Sequence, residues 1–174
     1  MVLNLTLIGE ETMDRTRVVF NDKAAMGYEV SRDAALFAPV NPEASQIWTE
    51  ADGVKYAINE RPLAGGIVEL SLRCGKTGEY TIALGDNSKA ESIVLVDRQN
   101  GKKTVISTEQ GYTFEAHAGV ITGRFYICGD EATAINGVAK TASAETETYN
   151  LMGQKVRADE RGIVIKNGSK MLNK

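Results

Sequence analysis

Histidine occurs once in this chain, at His117, tryptophan once, at Trp48, and cysteine twice, at Cys74 and Cys128. Zinc held by side chains needs several Cys or His at short spacing, and these residues do not supply it. The cysteines also fail as a disulfide pair by phase. Cys74 alternates in step with Val68, Leu70 and Leu72, whereas Cys128 is out of step with Phe125 and Ile127. A general base near neutral pH would have to be His117, which follows Phe114-Glu-Ala at a strand end and reads as an exposed loop residue. Cys74 beside His117 could be drawn as a thiol pair, but its phase makes it a small core residue. No Gly-x-Ser-x-Gly turn presents a nucleophile and no Gly-x-x-x-x-Gly-Lys cradles a phosphate; Gly65-Gly66 is an isolated turn. The expectation is a non-catalytic chain with no metal and no cofactor.

Long apolar runs and a basic excess are missing too. Without about 18 consecutive apolar residues, no helix is expected to cross a membrane. Residues 1–8 lack a basic start and alternate like a strand, so they do not form a signal peptide. An exported protein with this beginning has lost its leader, or the chain is the C-terminal piece of a longer parent. Net charge is −3 with a pI near 5.3, which removes the electrostatic case for nucleic acid or anionic lipid. The charge is uneven. From Glu145 onward six Lys and Arg face four acids, against fourteen and nineteen before it.

What the chain does have is glycine, 17 of them, and short alternating segments. Apart from a helical turn near residues 31–36, no segment holds a helical period. Strands are expected at 3–8, 16–20, 28–30, 46–49, 54–58, 67–73, 79–84, 93–97, 103–107, 111–116 and 124–128, with Gly, Asn and Asp turns between most of them. Many short strands at this spacing point to an all-β fold, an antiparallel β-sandwich of jelly-roll or Ig-like type. A closed barrel is the alternative that periodicity leaves open. The core is expected from Val68, Leu70, Leu72, Tyr80, Ile82, Leu84, Ile93, Leu95, Tyr112, Phe114, Phe125 and Ile127, all on the inward phase. Residues 1–129 would be this domain, and 130–146, small and polar without a period, a linker.

Two ligand readings arise within the domain. Glu10-Glu-Thr-Met-Asp14 and Asp86-Asn-Ser88 offer oxygens for calcium, but neither has the ligand spacing of a known loop, so solvated turn residues are the reading. Sugars lay their C–H faces on aromatic rings, which makes Trp48 and Tyr56 the candidate surface for a glycan. A four-residue turn at 50–53 would pair Trp48 with Lys55 and Ile47 with Tyr56, putting the two rings on opposite faces. A lone Trp in such a fold is otherwise a core residue.

The remaining feature is the end of the chain, residues 147–174, expected as a small β-meander or hairpin appendage. Asn167-Gly168 is a strong type I′ turn signal. It would pair Lys166 with Ser169, Ile165 with Lys170, Val164 with Met171 and Ile163 with Leu172, leaving apolar residues on both faces of a sheet too small to fold alone. Upstream lies Tyr149-Asn-Leu-Met-Gly-Gln-Lys-Val156. Together these segments resemble the C-terminal type A sorting domains read by type IX secretion in Bacteroidetes. Tyr149, Leu151, Gly153 and Val156 match the family's first segment, and Gly162, Ile163, Ile165, Asn167, Gly168 and Lys170 its second; Val164 stands where the family usually has Tyr. The stretch 92–98 is similar to the Val-x-Leu-x-Asp strand of the β-sandwich that often precedes such tails, and 111–116 and 123–127 are similar to its last two strands. The resemblance implies a non-catalytic C-terminal module of an exported or cell-surface protein, at the outer-membrane surface or outside the cell. Its implied partners are secretion or cell-surface machinery, or an upstream domain of the same parent; a glycan is the alternative.

Overall fold

The structure, a computed structural model, describes residues 1–63 and 66–128 together with four C-terminal strands at 148–150, 155–156, 162–166 and 169–173. The chain divides into two compact units, Met1–Val138 and Ala139–Lys174. Among the described residues there is no helix. Unit 1 holds β1 (Val2–Ile8), β2 (Met13–Phe20), β3 (Ala34–Ala35), β4 (Gln46–Ala51), β5 (Val54–Arg61), β6 (Ile67–Cys74), β7 (Gly78–Leu84), β8 (Ser92–Asp97), β9 (Lys102–Ser107), β10 (Tyr112–Ala116) and β11 (Gly119–Cys128). They form one sheet in the order β10-β7-β1-β2-β5-β4-β6-β11-β8-β9, with β3 added beside β5.

This sheet is nearly closed into a barrel-like shape, since its end strands come back towards each other and a hydrogen bond from Tyr112 on β10 reaches Asp97 on β8. The turn of the sheet lies within β4. Its first half, Gln46 to Trp48, pairs with β6, and its second half, Thr49 to Ala51, pairs with β5. The sheet is mixed rather than antiparallel throughout, because β2 and β5 run parallel. A parallel pair needs a long connection, and residues 21–53 supply it, with β4 running back antiparallel to β5 before the hairpin.

Alternation explains the core. All twelve expected core residues are buried in one cluster, joined by Leu3, Leu5 and Leu7 of β1, Val18, Ile47, Cys74 and Ile106. Each fully buried Leu or Ile there contributes about 1.5–3 kcal/mol relative to exposure. The outward phase of β8 and β11 makes a second, smaller cluster of Val94, Val96, Tyr126 and Cys128. Cys74 and Cys128 therefore lie on opposite faces, near opposite ends of the β6–β11 pairing, and no disulfide joins them.

Three local expectations are corrected. Residues 28–30 are not a strand: the Glu29 carbonyl accepts hydrogen bonds from Arg32 N–H and Asp33 N–H, while the Asp33 carboxylate accepts one from Glu29 N–H. Turn chemistry there outweighs a short apolar alternation. The helical turn expected at 31–36 is this single turn, displaced towards Glu29 and followed by β3. The β4–β5 hairpin reverses over two residues, not four, with Asp52 at φ 51° and Gly53 at φ 76°. Both central residues sit in the left-handed region, as a type I′ turn requires. Tyr56 consequently pairs with Thr49 and Lys55 with Glu50. The register moves by two, so parity is kept and Trp48 and Tyr56 still face opposite ways.

Candidate functional site

Three stretches that the sequence singled out meet at one buried point. Asp97 ends β8, Tyr112 begins β10, and Arg124 follows a bulge in β11 where the register shifts between Ile121 and Phe125 and Gly123 takes φ 69°. A bulge bends its strand and re-aims the next side chain. Arg124 reaches Asp97 twice, Nε to Oδ1 at 3.0 Å and Nη2 to Oδ2 at 2.8 Å. Tyr112 donates to Oδ2 at 2.9 Å, Gln99 N–H donates to Oδ1 at 2.9 Å, and Asn100 donates to the Tyr112 oxygen at 3.0 Å. The guanidinium also packs over Phe125 and Phe114, 4.6 and 5.0 Å from the ring centres. Burial alone pushes the Asp97 carboxyl up, but the hydrogen bonds from Arg124, Gln99 and Tyr112 and the Arg124 charge outweigh it and hold it below the usual carboxylate range. Every bond here is internal, and the network ties β8 and β11 to β10 across the seam of the sheet.

The candidate glycan surface is different in kind. Trp48 and Tyr56 are each 1% exposed, so neither offers an open ring face for stacking. Tyr56 lies 5.8 Å from the half-exposed Tyr28, ring centre to ring centre, and Lys55 Nζ sits 4.6 Å from the centre of the Trp48 ring. Both polar tips are buried without a hydrogen-bond partner among the described residues: the Trp48 indole Nε1–H and the Tyr56 hydroxyl. Burial, with the carboxylates of Asp33 and Asp52, pushes the Tyr56 phenol up.

In unit 2, β12 (Thr148–Asn150), β13 (Lys155–Val156), β14 (Gly162–Lys166) and β15 (Ser169–Asn173) form an antiparallel sheet in the order β13-β12-β14-β15. The β14–β15 register matches the expected hairpin pair for pair, from Lys166 opposite Ser169 to Ile163 opposite Leu172. Tyr149 is flanked by Lys155 and Ile165, Val156 stands opposite Thr148, Gly162 opposite Asn173, and Lys170 opposite Ile165. The sheet thus brings both tail segments side by side through β12 and β14. Leu151, Gly153, Asn167 and Gly168 lie outside the described residues, as do 130–146.

Other chemistry-bearing residues are placed as follows. His117 is exposed just after β10, beside an open cavity of about 820 Å³ also lined by Thr77, Glu79, Glu115 and Arg124. Cys74 is buried, and burial pushes its thiol up to about 11, so it stays protonated at neutral pH and is a poor nucleophile. The two acidic stretches serve the fold: Asp14 accepts from Ile47 N–H, and Ser88 binds the Asn4 main chain. Among the described residues, no group of three or more His, Cys, Asp or Glu could hold a metal ion. No helix among them is long and apolar enough to cross a membrane. Comparison with protein-family models, with curated proteins and with solved structures finds no match.

Proposed function

We propose that this chain is a non-catalytic C-terminal module of an exported or cell-surface bacterial protein, with residues 147–174 acting in sorting, anchoring or docking. The observation that carries the reading is the separate sheet β12–β15, in which the two segments resembling a type A sorting domain pair through β12 and β14 and the second folds back on itself in the register its Asn-Gly signal demands. A four-stranded sheet of this size depends on a partner for its stability, which suits a signal that secretion machinery reads. In the same reading the body, residues 1–129, is a sandwich-type carrier whose two halves join at β4. The protonated, buried Cys74 favours a carrier over a thiol enzyme.

Residues 147–174 fused to a soluble reporter should send it to the surface or the medium of a host with type IX secretion. A second fusion ending at residue 161, without β14 and β15, should remain inside. Retention of the complete fusion in the cell would sink the sorting reading.

A further inference from the structure

We infer that the outer face of β4, β5 and β6 carries a binding site for an acid sugar, whose carboxylate lies between Lys55 and Arg73. Gln46, Arg73 and Val120 form one cross-strand row over β4, β6 and β11, with Trp48 and Lys55 beside it. The loop at 36–39 stands over this row as a wall. It is tethered by Leu36 N–H to the Lys55 carbonyl at 2.8 Å and by Gln46 Nε2–H to the Phe37 carbonyl at 2.9 Å, while Arg73 Nη2–H holds the Pro42 carbonyl at 2.9 Å. Between wall and floor is a cavity of about 280 Å³ lined by Phe37, Gln46, Trp48, Lys55, Arg73 and Val120.

The polar inventory of this cavity is lopsided. Trp48 Nε1–H and Arg73 Nε–H are buried with no partner among the described residues. Both can only donate, and the Lys55 ammonium can only donate. No carboxylate lies within ion-pair distance of Lys55 or Arg73 among the described residues, although Glu50 stands opposite Lys55 in register. What these donors lack is an acceptor, and a carboxylate supplies about four lone-pair sites in the geometry a guanidinium fork matches. In a chain of net charge −3, a place with two cations and surplus donors is a specific feature of the fold rather than its general character.

Size and surroundings choose the rest of the ligand. The cavity suits one sugar ring, and Phe37, 85% exposed, offers an apolar ring to the C–H face of a sugar at its rim. A peptide carboxylate is disfavoured, because main-chain recognition by strand addition needs an open edge, and β4 and β6 each have neighbours on both sides. Lys55 is exposed and lies over the indole, so engaging a carboxylate changes the charge above the only tryptophan.

The full chain is titrated with sodium glucuronate, glucose and acetate at matched ionic strength, read by Trp48 fluorescence and by calorimetry. Glucuronate should bind saturably with a dissociation constant on the order of 1 mM, as expected for a ligand of this size, and glucose and acetate about tenfold more weakly or worse. Lys55→Gln, at an exposed position that leaves the fold intact, and Arg73→Gln should each weaken glucuronate about tenfold by calorimetry. The proposal is overturned by no saturable glucuronate response, by glucose or acetate binding as tightly as glucuronate, or by Lys55→Gln binding as the parent does.

Discussion

Tyr112 and Tyr56 are both buried, at 5% and 1% exposure, and burial pushes both phenols up, yet their hydroxyls are in opposite circumstances. That of Tyr112 donates to Asp97 and accepts from Asn100. That of Tyr56 has no partner among the described residues. The same contrast recurs elsewhere on the sheet. Arg124 spends its donors on a carboxylate inside the fold, whereas Trp48 and Arg73 keep buried donors unspent. A buried polar group that is satisfied internally belongs to the architecture, because losing any partner leaves the others stranded. One that is unsatisfied leaves hydrogen-bonding capacity the fold does not use. The seam near Asp97 is satisfied from within the sheet, and the outer face near Trp48 is where the proposed acid-sugar site lies.

The contrast breaks most severely at Arg124. Arg124→Met leaves the Asp97 carboxylate, whose side chain is 0% exposed, without its main counter-charge. Stranding a buried charge costs about 3–5 kcal/mol, and urea unfolding should show a loss of that size. Adding Asp97→Leu should restore only part of it, because it removes the stranded charge but leaves the Tyr112 hydroxyl and the Gln99 N–H without their acceptor. Acid gives a second route to the same break. The folded Asp97 carboxyl is held below its usual value, so its contribution is fully present above about pH 4 and is lost as pH falls through the lower folded value. The stability difference between the parent and Asp97→Asn should be constant near neutrality and shrink below pH 4. A difference that grows on acidification would mean the carboxyl is raised instead.

Tyr112→Phe tests one bond of the network rather than its charge. Asp97 keeps both Arg124 bonds and the Gln99 N–H, but Asn100 loses its acceptor and the carboxylate one donor. A hydrogen bond to a charged group is worth about 1.5–3 kcal/mol, and chemical denaturation should report a cost near the low end because the carboxylate stays threefold bonded.

How much of this was legible follows from what carries the information. The inward residues of β6, β7, β8, β10 and β11 and the β14–β15 register were readable because alternation and an Asn-Gly turn are local signals. Asp52-Gly53 carried an equally local signal for a two-residue reversal, and the four-residue turn overlooked it. Residues 21–45 were opaque, since their shape comes from side chains bonding the main chain, such as Asp33 to the N–H groups of Glu29 and Glu60, which leave no period. The parallel β2–β5 pairing is a choice between distant strands that neither strand encodes alone. Asp97 was read only as the end of an apolar strand, and that Arg124 and Tyr112 would converge on it depends on closure of the whole sheet. The cavity above Trp48 was hidden for the same reason: Phe37 comes from an irregular loop, and Lys55 and Arg73 from separate strands.

The finest test uses the matched partner of Tyr112→Phe. Tyr56→Phe removes the same hydroxyl from a position just as buried, but here the lost oxygen leaves no stranded partner among the described residues and lifts the cost of an unsatisfied buried group. The ring packing against Tyr28 is retained. The expected change is therefore between zero and about 1 kcal/mol of added stability, a sign opposite to that of Tyr112→Phe in the same assay. Both variants keep the carbon skeleton, so packing cancels between them and the difference isolates hydrogen bonding. If Tyr56→Phe instead costs as much as Tyr112→Phe, the Tyr56 hydroxyl has a bound partner such as an ordered water, and the contrast between the two hydroxyls fails.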